Sequence, residues 1–330
     1  MKRMWSSEKT AAANNPLKNS CERELKAMIK NAENGGKELH LDGLDEKEKL
    51  QPHDHRITIG TISSPPDPCH GCTFFPVVSN ALINSNNSTI QSLHFHHPEI
   101  AHAEGIVEIL KNKTAIKELR LIDVSHSQCI TIIAKALKQN NDLQQLVIRG
   151  ESTFDLHTCY MLADMLKNNS SLLSFRWLNL QRQEAEKANP ILQAMTLNNT
   201  LTSFELTHAN LDSNGMALLS DILKRNTLTR LSLPFGSFNK TDDLIVFANG
   251  IKQNTSLLQL NLGCFHSIQK PDNYKFDLDE ESTDILHAAK KAHPILGGGF
   301  NLTPLRTAVT EIVVEETAEQ NVAYNKIRMN

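Results

Sequence analysis

Cys69-x-x-Cys72 is the only C-x-x-C in the chain, and seven of its fourteen histidines fall between His53 and His102, including the run His94-Phe95-His96-His97. Two thiolates and two imidazoles brought to one point would suit zinc in a tetrahedral Cys₂His₂ site. The chain has no second C-x-x-C and no regular Cys–His spacing, so these residues read as loop cysteines and exposed histidines, and no metal is expected. Cys129 and Cys159 fall in apolar stretches of helical period and read as small core residues. Glycine-rich phosphate loops, G-x-S-x-G elbows and H-E-x-x-H pairs do not occur. Neither catalysis nor a cofactor is expected. The remaining chemistry lies in a spaced set of charged and amide side chains: Glu118, Arg120, Gln145, Arg149, Arg176, Glu205 and Arg230. Such a set could hold the acidic groups of another protein, provided one surface presents all of it.

The positioning element is a repeat. The string L-x-x-L-x-L, with conservative replacements, begins at Ile90, Ile116, Leu143, Leu172, Leu201, Leu228 and Leu257. An asparagine precedes each: Asn84, Asn112, Asn140, Asn169, Asn198, Asn226 and Asn254. The last two apolar residues of each string are two apart and share one side of a strand, so the residues between them share the other. Residues after each string return to helical period, as in "NGMALLSDILKRN" (214–226), where Met216, Leu219, Ile222 and Leu223 recur. Lys111, Lys138, Lys167, Lys224 and Lys252 suit the negative end of a helix dipole. The asparagines are expected to stop the helices in the left-handed conformation, with the following Ser or Thr making the turn into the next strand. That reading also accounts for the N-x-S/T triplets without glycans. A helix between successive strands makes them parallel, and stacked units bury a core that none could bury alone.

Residues 201–228, "LTSFELTHANLDSNGMALLSDILKRNTL", resemble a leucine-rich repeat of the ribonuclease-inhibitor type, as does the a-L-x-x-N-x-x-L phrase spelled by Leu137, Asn140 and Leu143. The resemblance implies an α/β leucine-rich repeat solenoid, a horseshoe with a parallel inner sheet and convex outer α-helices, and protein binding on its concave face. Phe175 and Trp177 depart from the leucine pattern, and only Asn210 comes near the family's asparagine after the strand. The array is expected over 80–265 in units of 26–29 residues. Residues 1–79 read as an N-terminal cap with a helix at 16–34, possible strands at 37–41 and 56–62, and a degenerate repeat. Residues 266–310 read as a C-terminal cap built on a helix at 279–294, which "GGG" at 297–299 ends, and 311–330 as a polar tail.

Hydrophobic content of 40%, charged content of 22% and a net charge of −3 describe a soluble chain with an aliphatic core and no footprint for nucleic acid. No apolar run reaches the length of a membrane span, and the start has no apolar leader segment. A protein partner and a monomeric chain are expected. Glu315-Glu316-x-x-Glu319 resembles the glutamate-rich C-terminal secretion signal of Legionella-type type IV effectors, and thirty asparagines in 330 residues suit an AT-rich bacterial genome. That resemblance implies synthesis in a bacterial cytoplasm and delivery to a host-cell cytosol, where the protein would act on a host protein or regulate another effector. Two other interaction readings stay open: a cytoskeletal binder, since "IKQNTSLLQLNL" (251–262) resembles tropomodulin-like repeats, and an F-box-type ubiquitin-ligase adaptor using residues 16–34.

Overall fold

Each strand begins two residues after the first apolar residue of its string, and the reason is a change of task within the string. The first apolar residue anchors the turn, and the next two line the core as the chain extends. In the computed structural model the strands are β3 (Ser92–His96), β4 (Glu118–Val124), β5 (Gln145–Gly150), β6 (Ser174–Asn179), β7 (Ser203–Leu206), β9 (Arg230–Ser232) and β11 (Gln259–Asn261). The structure describes residues 91–96, 98, 100–112, 115–150, 154–179, 184–263, 280–296 and 299–301, the strand segments 38–40, 56–59 and 266–267, and positions 83 and 278. Chain packing defines two compact units, Met1–Ala136 and Leu137–Asn330.

In the first unit, β1 (Glu38–His40) and β2 (Arg56–Ile59) precede β3, and all pair in parallel in chain order through to β4. Helix α1 (Ile100–Asn112) makes the crossover from β3 to β4, and α2 (Ser127–Leu137) follows β4. Leu93, Phe95, Leu119 and Leu121 are buried with Ile106, Ile109 and Ile130 of the helices.

The second unit alternates β5, α3 (Leu156–Asn168), β6, α4 (Ala185–Met195), β7, α5 (Ser213–Lys224), β9, α6 (Thr241–Gln253), β11 and α7 (Glu280–Ala292). The strands pair in parallel in that order, and β13 (Phe300–Asn301) adds outside β11. This is a leucine-rich repeat stack. Short strands β8 (Asn210–Leu211), β10 (Ser237–Phe238) and β12 (His266–Ser267) form a second parallel sheet after the main strands. Register places Leu146, Phe175, Phe204, Leu231 and Leu260 in one row of the core and Ile148, Trp177 and Leu206 in the next. Phe175 and Trp177 are fully buried in their leucine places: Phe175 stacks on Phe204 at 6.1 Å, and Trp177 on Phe154 at 6.0 Å.

The asparagines work differently from expectation. Among the described residues of the set only Asn226 is left-handed, with φ 59°. Asn140, Asn169, Asn198 and Asn254 stand three residues before the first leucine of their strands; Asn140 Oδ1 holds Asp142 N and Leu143 N of its own turn, and the other three also tie repeat to repeat. Asn169 Nδ2 donates to Leu137 O and Asn140 O of the preceding repeat, while its Oδ1 accepts from Ser171 N and Leu172 N of its own. Asn198 repeats this with Leu166 O, Asn169 O, Thr200 N and Leu201 N. Asn254 reaches Leu223 O and holds Ser256 N and Leu257 N. One amide thus engages four backbone groups at Asn169 and Asn198 and three at Asn254, in turns that burial removes from water. At Asn226 the turn is one residue shorter, which puts Arg225 in the ladder position, where its guanidinium donates to Thr196 O, Asn198 O and Asn199 Oδ1. Asn112 is the last residue of α1 and bonds back to Glu108. The side chains at Asn198 and Asn254 are buried and fully engaged, so turn chemistry accounts for those triplets.

Candidate sheet-face site

Because side chains alternate along a strand, the set opposite the core faces away from the helices. In the first unit this set forms a tight cluster. Register sets Ser92 beside Glu118 and His94 beside Arg120. Ser92 Oγ donates to Glu118 Oε2 at 2.8 Å, Arg120 Nε donates to Oε1 at 2.5 Å, and His94 Nε2 lies 2.9 Å from Ser92 Oγ and 4.0 Å from Glu118 Oε2. Burial pushes the Glu118 carboxyl up, but His94, Arg120 and Ser92 more than offset it and hold the group well below the usual carboxylate range. The serine proton is committed to Glu118, so Ser92 Oγ accepts from a protonated His94 Nε2. A histidine that donates to the hydroxyl cannot take its proton. The trio therefore orders the surface and does not assemble a nucleophile.

In the second unit two rows cross the face. One runs Gln145, Ser174, Ser203, Arg230, Gln259, and the other runs Val147, Arg176, Glu205, Ser232, Asn261. The second row is hydrogen-bonded from strand to strand. Arg176 Nε donates to Glu205 Oε2 at 2.5 Å, Ser232 Oγ to Glu205 Oε1 at 3.4 Å, and Asn261 Nδ2 to Ser232 Oγ at 3.3 Å. Gln145 and Arg230 are exposed, while Arg149, Arg176 and Glu205 are half-buried. Val147 shares the outward register of Gln145 and Arg149 yet is only 4% exposed, so it is not part of the presented surface.

The expected set therefore splits. Glu118 and Arg120 meet on the first unit, and Gln145, Arg149, Arg176, Glu205 and Arg230 lie on the second. Both glutamates are paired with arginines of their own face, and the exposed Arg230 stands outside those pairs.

The stretch where strands end carries a feature the sequence reading missed. Asp123, His208 and Phe235 occupy the same position, seven residues after the first apolar residue of their strings, and all are left-handed, with φ of 55°, 54° and 56°. That conformation ordinarily favours glycine or asparagine. His208 and Phe235 stack nearly parallel at 4.7 Å, and each leads into its short strand of the second sheet.

Cys69, Cys72, the 16–34 segment and the tail at 311–330 lie outside the described residues. Among the described residues no group of three or more His, Cys, Asp or Glu side chains could hold a metal ion. Cys129 and Cys159 are free thiols with no exposure, and burial pushes both up to about 12. No described helix is long and apolar enough to cross a membrane.

No family model and no curated protein matches this chain. Solved structures similar to it include the tropomodulin C-terminal domain of Caenorhabditis elegans, at 13% identity over 49% of this chain and 92% of that one, with a TM-score of 0.38. Leiomodin-1 actin-binding site 2 is similar at 17% identity over 68% and 99%, with a TM-score of 0.32. An internalin from Listeria monocytogenes is similar at 14% identity over 75% and 65%, with a TM-score of 0.39. Likenesses of this size carry no argument about what this chain binds.

Proposed function

We propose that this protein is a non-enzymatic binding module that grips an acidic segment of a protein partner with the sheet face of its repeats. Arg230 is the observation that carries this reading. It is exposed, its register neighbours are Ser203 and Gln259, and its diagonal neighbour Glu205 is already held by Arg176 and Ser232. A hydroxyl, a guanidinium and an amide thus stand side by side at about 4.8 Å spacing, and among the described residues the carboxylate diagonal to them, Glu205, is already engaged. An arginine fork meets a carboxylate through two parallel hydrogen bonds, and the flanking donors widen that grip. The double variant Arg149→Glu with Arg230→Glu tests it: partner binding is lost if the face is the site, and unchanged binding overturns the reading.

The setting we propose is a bacterial effector delivered into a host cell, where it acts on a host protein or on another effector. Support comes from Glu315-Glu316-x-x-Glu319 and the asparagine-rich composition. A translocation assay comparing the full chain with a variant lacking residues 311–330 checks this, and equal delivery contradicts it. Co-sedimentation with actin filaments separates the cytoskeletal reading suggested by residues 251–262.

A further inference from the structure

The asparagine ladder of the second unit ends on a residue of another kind. After α7 the ladder position, three residues before Leu296, belongs to His293, which is 6% exposed. Its Nδ1 lies 3.2 Å from Ile295 N and 3.0 Å from Leu296 N, and its Nε2 lies 3.1 Å from Asn254 Oδ1. Backbone N–H groups can only donate, so Nδ1 must present a lone pair to both. The ring proton therefore sits on Nε2 and is donated to Asn254. The imidazole thus copies the ladder amide, accepting from the two backbone groups ahead of it and donating to the rung behind. An amide does not titrate near neutrality, whereas an imidazole does. A second proton would land on Nδ1 and point at two N–H groups in a buried place.

We propose that His293 makes the last rung a proton-sensitive latch, which holds α7 and β13 on the stack at neutral pH and releases them in mild acid while the asparagine rungs hold. Burial keeps its imidazole below the ordinary value of 6.5. The folded state therefore favours the neutral ring, and the cap's stability is full above 6.5 and declines as pH falls through 6.5 toward the folded value. The charged or titratable side chains on the elements packed here are Asp242, Asp243 and Lys252 of α6, and Glu280, Glu281, Asp284, His287, Lys290 and Lys291 of α7. Among the described residues none of these hydrogen-bonds the ring. His287 is the other histidine of α7, and it meets Phe300 edge-on at 6.3 Å, with Lys290 Nζ 5.3 Å from the same ring. Release would also uncover the outer edge of β11, where Leu260 N now donates to Gly299 O and Leu262 N to Asn301 O.

Hydrogen–deuterium exchange on the full chain at pH 7.5 and 5.5, corrected for intrinsic exchange rates, tests the latch. Opening of 280–301 relative to 203–262 should rise about tenfold at the lower pH. His293→Asn should abolish that rise, and His287→Gln should keep it. An equal rise in His293→Asn, or none in the wild type, overturns the proposal. The ¹⁵N shifts of the wild-type His293 ring give a test that needs no variant. The expected result is an Nε2–H tautomer at pH 7.5 whose protonation midpoint coincides with cap opening. An Nδ1–H tautomer, or protonation with the cap still closed, contradicts the latch.

Discussion

Arg176 and Glu205 face each other across adjacent parallel strands, with Nε 2.5 Å from Oε2, so the face neutralises one of its own arginines. The side chains are 40% and 18% exposed, respectively, and solvent screens the attraction. A double-mutant cycle with Arg176→Ala and Glu205→Ala, read by urea denaturation, should give a coupling of about 0.5–1 kcal/mol. It should shrink in high salt. A coupling unaffected by salt would contradict a solvent-screened pair.

Asn198→Ala should cost far more than any single substitution on the face. It strips partners from Leu166 O, Asn169 O, Thr200 N and Leu201 N while they stay buried. A loss of about 2–4 kcal/mol is expected. The exposed neighbour Lys167→Ala, at the end of α3, should cost less than about 0.5 kcal/mol. Equal losses at the two positions would mean that the ladder amide does not hold the stack.

Glu118 sets an acid limit on the first unit. Its folded value lies below its ordinary value of 4.5, so its contribution is complete above 4.5 and is lost as pH falls through the folded value. Thermal melts of Glu118→Gln should therefore be lower than wild type at neutral pH and less sensitive to pH below 4.5. Parallel acid limbs in the two proteins would contradict the cluster's role.

Cys129 and Cys159 should resist alkylation in the folded chain. Both are completely buried, and at about 12 each thiol is protonated at neutral pH, whereas alkylation needs the thiolate. Peptide mapping after iodoacetamide should find them unlabelled until denaturant is added. Rapid labelling at either position would contradict a core role.

The strands were legible because their code is local: one apolar spacing sets each start, and β1 and β2 appear where alternation placed them. The ladder was legible only in part. The sequence shows an asparagine at each turn, but whether its amide holds its own turn or, as at Asn226, reaches forward to Thr255 of the next repeat depends on a turn length that differs by one residue. β13 was hidden by the glycines, which read as a break. Gly299 is instead what lets that strand approach, since a Cβ there would lie 2.0 Å from Leu258 O. The pairing of Arg176 with Glu205 depends on register between residues 29 apart, which no single repeat encodes. The left-handed turn at Phe235 runs against residue preference, so residue type alone could not reveal it.

The most direct test of the sheet face as the binding surface is a quantitative pull-down from host-cell lysate. It would compare wild type, Arg149→Glu with Arg230→Glu, and a control reversal at Lys138, which pairs with Asp164 among the helices. An acidic partner should be retained by wild type and the Lys138 variant and lost by the double variant. The same partner retained by all three would contradict the sheet-face site.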